Sequence, residues 1–386
     1  MPDTAPSLSL SLHPSIADIP ALDWDACAGL TNPFVSHAFL LALEESGSVG
    51  ARTGWLPQHA ALRDESGQLL ACAAMYAKTH SQGEYVFDHG WADAFERAGG
   101  RYYPKLQVAA PFSPVPARGC WCGRGRASGG GAGQGLVQAC GQLDLSSIHV
   151  TFCEAREWEA LGEAGWLQRI GTQFHWTNAG YASFDDFLAA LASRKRKQIK
   201  RERRDAEASG FVCKTLRGHE ITPRHWEAFH QFYVSTSDKK WGRSAYLKKS
   251  FWPLLGERLG DKVVLMVAEQ DGEPVAGALN LLGQDALYGR NWGCLVDAPF
   301  LHFELCYYRA IDFAIEHKLP RVEAGAQGEH KIQRGYLPVP TYSAHWIEHR
   351  GLRRAVADFL AQERRAMMRE IEALGEMSPF RKEGEG

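Results

Sequence analysis

The sequence predicts a mixed α/β protein made of two copies of one domain with a long basic helix between them. Three observations lead there. Short runs of alternating apolar residues flank glycine turns, and stretches of helical periodicity separate them, the pattern of a mixed sheet covered by helices. Blocks of residues in the first half return in the second. Between the halves, Arg194, Lys195, Arg196, Lys197, Lys200, Arg201, Arg203 and Arg204 surround Ile199 in a single run.

Taken in order, the chain starts loosely, and residues 1–20 are expected to be flexible. Residues 33–47 read as a helix. His59 to Arg63 and Leu69 to Lys78 read as two strands closing on Asp64-Glu65-Ser66-Gly67. Val263 to Ala268 and Val275 to Leu282 repeat that hairpin around Glu269-Gln270-Asp271-Gly272. Laying Gly67 on Gly272 pairs Ala71 with Ala276, Ala73 with Ala278, Phe95 with Phe300, and Tyr102-Tyr103 with Tyr307-Tyr308. At a second offset, Gly165-Trp166-Leu167 ending in His175-Trp176 matches Gly335-Tyr336-Leu337 ending in His345-Trp346. The two domains are therefore set at residues 21–180 and 181–350. Ser183-x-x-Asp186 is a capping signal and Gly210 a stop, so 184–209 is predicted as one helix within the second domain. Residues 351–386 hold a charged amphipathic helix, Gly351 to Leu374, and a tail expected to be disordered after Pro379.

At 386 residues and 45% hydrophobic, the chain can bury more than one core. Its net charge of -2 gives no global field for DNA or anionic lipid, although local charge is uneven. No apolar window is long enough to span a membrane, and the polar, proline-bearing start lacks a signal-peptide pattern, so a cytoplasmic protein is expected. Nine scattered cysteines suit reduced thiols. Cys120-Trp-Cys122 is the only close pair and has no adjacent ligands, so no metal and no permanently bound cofactor are expected.

The stretch from Arg321 to Tyr336 is poor core material. It begins as a strand, breaks at glycine, and then places acid, imidazole, ammonium and guanidinium groups within a few residues. If Val322 to Gln327 is extended, Glu323, Gly325 and Gln327 share one face. The first copy follows its late strand, Ile148 to Phe152, with a helix from Glu154 to Ala164; the second has only Glu329 to Arg334 before Gly335. The end of the second copy's late strand is thereby left uncovered, where open α/β sheets bind ligands.

These residues carry a resemblance. The repeat resembles two tandem GNAT (Gcn5-related N-acetyltransferase) domains, and the second half is similar to the predicted N-acyltransferases related to the Fem peptidoglycan-bridge ligases. The phrases that carry it are Ser193-Arg-Lys-Arg-Lys-Gln-Ile-Lys-Arg-Glu-Arg-Arg204, Lys239-Lys-Trp-Gly-Arg243, Leu287-Tyr-Gly-Arg-Asn-Trp292, Phe303-Glu-Leu-Cys-Tyr-Tyr308 and Glu323-Ala-Gly-Ala-Gln-Gly-Glu-His-Lys331. The resemblance implies tandem acyl-CoA N-acyltransferase folds, an amine acceptor that is a small molecule or peptide, and a donor that is acyl-CoA or aminoacyl-tRNA. It leaves a non-catalytic binder of tRNA or of a cell-wall precursor as the alternative. Two fused copies also imply a monomer that supplies its own pseudo-dimer.

Amide formation needs a base for the amine, an oxyanion partner and an acid for the leaving group. Glu323 and His330 are the candidate bases, and Tyr336 or Tyr288 the candidate acid. Lys331, Arg334 and Gln327 are expected to hold the oxyanion or substrate, with Arg290 and Trp292 lining the same cleft. In the first copy, Asp88, His89 and Lys105 are expected to bind substrate. Donor phosphates are assigned to Arg194, Lys195 and Lys197 on the basic helix and to Lys239, Lys240 and Trp241, where cations sit beside an aromatic ring. Arg126-Ala-Ser-Gly129-Gly-Gly131 satisfies the GNAT pyrophosphate-loop pattern, and the same tract also reads as a flexible glycine loop.

Overall fold

The computed structural model describes residues 8–29, 31–116, 122–123, 130–241, 245–326 and 328–381, with the side chains of 122–123, 130–132 and 238–241 left aside. The strands are β1 (Ser9–His13), β2 (Trp55–Pro57), β3 (His59–Arg63), β4 (Leu69–Ala73), β5 (Met75–Lys78), β6 (Lys105–Val108), β7 (Cys122–Gly123), β8 (Ser147–Cys153), β9 (Leu167–Thr177), β10 (Val212–Arg217), β11 (Val263–Gln270), β12 (Glu273–Leu282), β13 (Ala286–Cys294), β14 (Arg321–Glu323) and β15 (Leu337–Ile347). The helices are α1 (Ala21–Ala28), α2 (His37–Glu45), α3 (His89–Arg97), α4 (Gly130–Gln142), α5 (Ala155–Glu163), α6 (Phe184–Ala190), α7 (Ser193–Ala208), α8 (Pro223–Trp241), α9 (Phe251–Leu259), α10 (Leu301–Phe303), α11 (Arg309–Glu316) and α12 (Arg350–Glu376). Mixed α/β architecture is what the alternation requires. Among the described residues, no helix is long and apolar enough to cross a membrane.

The chain divides into two units that do not follow a single cut. The first is Met1–Gly171 with Pro340–Met368; the second is Thr172–Val339 with Arg369–Gly386. Each half of the chain thus lends the other unit the end of one long strand, residues 172–177 of β9 and 340–347 of β15. A linear division at residue 180 misses this exchange, because the repeat in sequence marks copies and not pairing partners.

In the first unit, β2, β5, β6, β8 and the end of β15 lie in that order, with β6 and β8 parallel and the other pairs antiparallel. A smaller sheet runs β1, β3, β4, β7. β1 pairs with β3 from Ser9 to His13, so the expected loose start is ordered from that point. Period two divides the larger sheet. Leu106, Val108, Ile148, Val150 and Ala344 point to an apolar core with Leu136 and Trp166. The alternate residues Lys78, Lys105, Gln107, Ser147, His149, Ser343 and His345 form a polar face that is also buried.

That polar face is closed by ion pairs and hydrogen bonds. The Lys105 ammonium, with no exposed surface, donates to Ser81 Oγ at 2.8 Å, Glu84 Oε2 at 2.7 Å and Asp88 Oδ2 at 2.5 Å. Tyr102 donates to the same Asp88 oxygen at 2.6 Å, and His149 and His345 meet Nδ1 to Nδ1 at 2.8 Å. Burial opposes ionisation of Asp88, but Lys105 outweighs it and holds the carboxyl well below its usual range. Burial, then Lys105, push His149 down to about 3.

A pH dependence follows. Below about pH 6.5 the unfolded chain protonates this imidazole while the folded chain does not, so stability falls as pH drops, by about 1.4 kcal/mol per pH unit for each such histidine. The urea midpoint is expected to fall from pH 7 to pH 5, and the His149→Gln variant to show a shallower slope. An unchanged slope would contradict this account.

In the second unit the order is β10, β11, β12, β13, β14 and the end of β9, with only β13 and β14 parallel. The hairpin repeat holds: Gly67 and Gly272 take φ of 82° and 79°, the left-handed conformation that glycine adopts without a Cβ penalty. Beyond the hairpin the same offset fails. Phe95 lies in α3 ahead of β6, whereas Phe300 follows β13, because the first unit inserts residues 79–104 between β5 and β6. The sequence match that lays β9 on β15 holds, with both strands 11 residues long.

The predicted helix 184–209 is broken between α6 and α7. Leu191 is fully buried and extended, bridged to Phe380, while Ala192 N–H donates to Pro379 O at 2.9 Å. Tertiary pairing supplies the break, and the local sequence carries no glycine or proline to announce it. α12 ends close to the predicted boundary; residues 382–386 of the tail lie outside the described residues.

Candidate functional site

β13 and β14 run together for only three rows, Ala286 with Arg321, Leu287 with Val322 and Tyr288 with Glu323. β13 then continues to Cys294 while the other chain turns away at Gly325, whose φ is 74° and whose carbonyl accepts from Phe174 N–H. Two parallel strands therefore part just past Glu323. The predicted extension to Gln327 is not formed, and Gln327 lies outside the described residues. On β13 the register against β12 steps from Leu279–Asn291 to Asn280–Gly289, which leaves Arg290 as a bulge. Bulges re-aim side chains beside functional sites.

The last shared row runs Tyr288, Glu323, His175 across three strands. Glu323 is 1% exposed. Its Oε1 accepts from Arg321 Nε at 2.9 Å, and Arg321 also donates to Asp285 at 2.7 Å. Oε2 has no hydrogen-bond partner among the described residues and lies 3.8 Å from His175 Nε2. Burial pushes the carboxyl above its usual range against the pull of Arg321 and Arg290. Burial, then Arg321, Arg290 and Lys331, push His175 down to about 3, so it faces Glu323 neutral. Burial and the Glu323 charge raise the Tyr288 phenol.

His330 does not share that row; it is exposed on a 3-10 helix of two turns, Glu329–Arg334. Its Nε2 lies 2.9 Å from Tyr307 Oη, and its ring packs against Phe303, Tyr307 and His302. His302 also contacts Trp292 on β13, with ring centroids 5.1 Å apart. α10, a π-helical turn (Glu304–Tyr308) and α11 run on as one helix that carries this group. π-turns within helices are frequent at functional sites. In the sequence His302 carries no signal of its own, and Tyr307 is marked only by its match with Tyr102 in the repeat and by the Phe303 to Tyr308 phrase.

Two expected substrate contacts, Lys331 and Arg334, and one expected catalytic acid, Tyr336, are spent internally. Lys331 is buried and donates to Ala324 O at 2.6 Å, which pins the turn after β14. Arg334, 4% exposed, donates to Glu202 at 2.9 Å, Tyr308 Oη at 3.0 Å and His330 O at 2.8 Å, with Phe303 beneath its plane at 3.4 Å. Tyr336 is fully buried and donates to Tyr307 O at 3.1 Å, so it is not placed to protonate a leaving group. These polar groups hold loop and helix to the sheet, a use that the sequence pattern does not distinguish from catalysis.

Lys105 and Asp88 are likewise inside the first unit's buried network and not on a binding surface. His89 points outward and stacks on Phe87. On α7, Ile199, Glu202 and Ala206 are buried, and Arg203 reaches Glu304 and Asp312 at 3.1 and 2.7 Å. Arg194, Lys197, Arg201 and Arg204 remain on the outer stripe at helical spacing, all exposed, and Lys195 is half-buried. The side chains of Lys239, Lys240 and Trp241 lie outside the described residues, as do most of the Arg126 to Gly131 pattern and the side chains of the Cys120 and Cys122 pair. No group of three metal-ligating side chains occurs among the described residues.

One parallel strand pair within an otherwise antiparallel sheet, β6 with β8 and β13 with β14, in each of two units that exchange strand ends, defines a tandem GNAT-type fold. Solved structures share it. FemX is 11% identical and superposes with a TM-score of 0.54 over 88% of this chain and 98% of its own. L-PGS from Bacillus licheniformis is 12% identical, with a TM-score of 0.51 over 89% and 99%. A conserved protein of unknown function from Bacteroides thetaiotaomicron is 10% identical, with a TM-score of 0.54 over 87% and 99%. No curated protein matches the sequence. The pattern of the FemAB-like family, described as peptidoglycan biosynthesis/recognition, matches residues 15–382, and the chain belongs to that family.

Proposed function

We propose that the protein is a cytoplasmic N-acyltransferase that moves an acyl or aminoacyl group from a phosphate-bearing donor to an amine acceptor, with the chemistry in the second unit. The observation that carries this reading is the parting of β13 and β14 beside Glu323, with Arg290 bulged toward the same strand end. There an incoming carbonyl would meet a guanidinium suited to a developing oxyanion. His330 is the exposed base. For that role its Nε2–H donates to Tyr307 Oη and Nδ1 takes the amine proton, a tautomer assigned from the role. Glu323, buried and held by Arg321, tunes the site's charge and does not itself reach the amine. The outer stripe of α7 is the donor's phosphate contact, since like charges at such spacing repel unless an anion neutralises them.

A second reading, a non-catalytic binder of tRNA or a cell-wall precursor, is favoured by one observation, the internal use of Lys331, Arg334 and Tyr336. One experiment separates them. A thermal-shift screen with acetyl-CoA, longer acyl-CoAs and charged tRNA is expected to show stabilisation by one donor class, weakened in an Arg194→Ala/Lys197→Ala/Arg201→Ala variant. Transfer from that donor is expected to fall about 10²-fold or more in His330→Asn with the fold intact. Salt-sensitive tRNA binding without transfer from any donor would support the binder instead.

A further inference from the structure

The basic run of α7 contains one acid. From Arg194 to Arg204 the sequence reads Arg-Lys-Arg-Lys-Gln-Ile-Lys-Arg-Glu-Arg-Arg, and Glu202 is its only carboxylate. An exposed acid at this point would soften the repulsion among its neighbours, but Glu202 faces inward and is 3% exposed. Both of its oxygens accept from Arg334 Nη2 at 2.9 Å, and Gln198 and Tyr308 donate to it as well. A buried ion pair is a poor way merely to dock a helix, because apolar residues of similar volume commonly do as well without desolvating two charges. Arg334 leads on from Glu202. Its Nη1 donates to His330 O at 2.8 Å, within the same short helix, and its Nε donates to Tyr308 Oη at 3.0 Å. Tyr307, next to Tyr308 in the π turn, places its hydroxyl 2.9 Å from His330 Nε2. Glu202 therefore touches both segments that hold His330. The short helix itself lies between Gly328 and Gly335, with φ of 98° and 87°, where glycine lets the chain turn at either end. Ile332 and Lys331 fix its inner side, and Arg334 fixes the His330 carbonyl.

We propose that Glu202 and Arg334 are positioning residues that tie the seating of the donor on α7 to the placement of His330; this rests on the transfer reading above. Neither residue touches the substrate, and neither exchanges a proton with it. Arg194, Lys197, Arg201 and Arg204 take the donor's phosphates on the solvent side of α7, while Glu202 on its inner side passes the helix position to Arg334 and Tyr308. Arg334 then sets the His330 backbone, and the π turn sets its ring through Tyr307. The base is held in working position most firmly in the donor complex, so that donor binding assembles the site.

The test uses the full chain and an unreactive form of whichever donor the screen selects, CoA for an acyl-CoA or uncharged tRNA for an aminoacyl-tRNA. In wild type, saturation with that probe is expected to slow amide hydrogen exchange at Glu329–Arg334 about tenfold. The Glu202→Met/Arg334→Met variant removes the link together with both charges. It is expected to bind the probe within threefold of wild type, to show no slowing at Glu329–Arg334, and to have kcat lowered about tenfold or more with donor KM within threefold, although its urea stability is largely kept. A merely structural pair would return kcat along with stability. Glu202→Gln, which keeps the shape and gives up the charge, is expected to move both readouts in the same direction by a smaller factor, and it serves if the double variant does not fold. A wild-type kcat in the double variant, probe-induced slowing that survives in it, or a wild-type protein that binds the probe with no change at Glu329–Arg334 would overturn the assignment and leave the transfer reading in place. If wild type binds neither donor class, the reading of function falls, and this assignment falls with it.

Discussion

Replacing Lys105 with methionine is expected to destabilise the protein by about 3–5 kcal/mol, the cost of removing one partner from a buried ion pair. Lys105 has no exposed surface and is the shared donor for Glu84 and Asp88, both also buried. Without it, Asp88 keeps only neutral hydroxyl donors, Tyr102 and Ser81, and two carboxylates face one another in a low-dielectric interior. Lys78 cannot take over. Its ammonium lies 3.6 Å from Glu84 and over the Trp55 ring at 3.7 Å, and burial, against the pull of Glu84, brings it down to about 7. Lys78→Met is therefore expected to cost clearly less than Lys105→Met. Urea unfolding at pH 7 measures both, and equal losses would show that the two lysines share the load. Replacing Lys105, Glu84 and Asp88 together by apolar residues of similar volume should recover much of the loss, since the penalty lies in the orphaned charge and not in the missing pair.

Arg334→Met is expected to have an effect of similar size in the second unit, again about 3–5 kcal/mol. Arg334 forks onto both oxygens of Glu202, the single buried acid of α7, and stacks on Phe303. The same Glu202 also accepts from Tyr308. Removing the guanidinium leaves a carboxylate 3% exposed with only neutral donors, the Tyr308 hydroxyl and the Gln198 amide, so α7 should loosen from the sheet. Amide hydrogen exchange on α7 is expected to rise as urea stability falls, and the Glu202→Met/Arg334→Met double variant to regain most of the loss by removing both charges. Protection of α7 left unchanged in the single variant would show that Ile199 and Ala206 anchor the helix alone.

These two arginine and lysine sites show why polar residues in a sequence are ambiguous. Glu323, His330, Lys331, Arg334 and Tyr336 crowd into one stretch, which marks it as unusual, but a cation clamping a carbonyl and a cation awaiting a phosphate have the same letters. Only partners distinguish them. Lys331 has Ala324 O, Arg334 has Glu202, and Tyr336 has Tyr307 O, all from other parts of the chain or across a turn. His302 was passed over for the opposite reason: it stands alone in sequence and gains its neighbours when Trp292 and His330 are brought beside it.

By itself the sequence determined the mixed α/β class, the duplicated hairpin, the matching of β9 with β15 and the basic run of α7. All of these rest on local periodicity, glycine turn chemistry and residue-by-residue repetition, which need no distant partner to be read. Tertiary structure alone decided that strand ends are exchanged between units, that the basic helix breaks at Leu191, that the first unit's polar face is buried, and that Glu323 is shielded while His330 is exposed. Each of those depends on which distant segment supplies a pairing edge or a counter-charge, and that choice is made by packing the whole chain and not by any window of it.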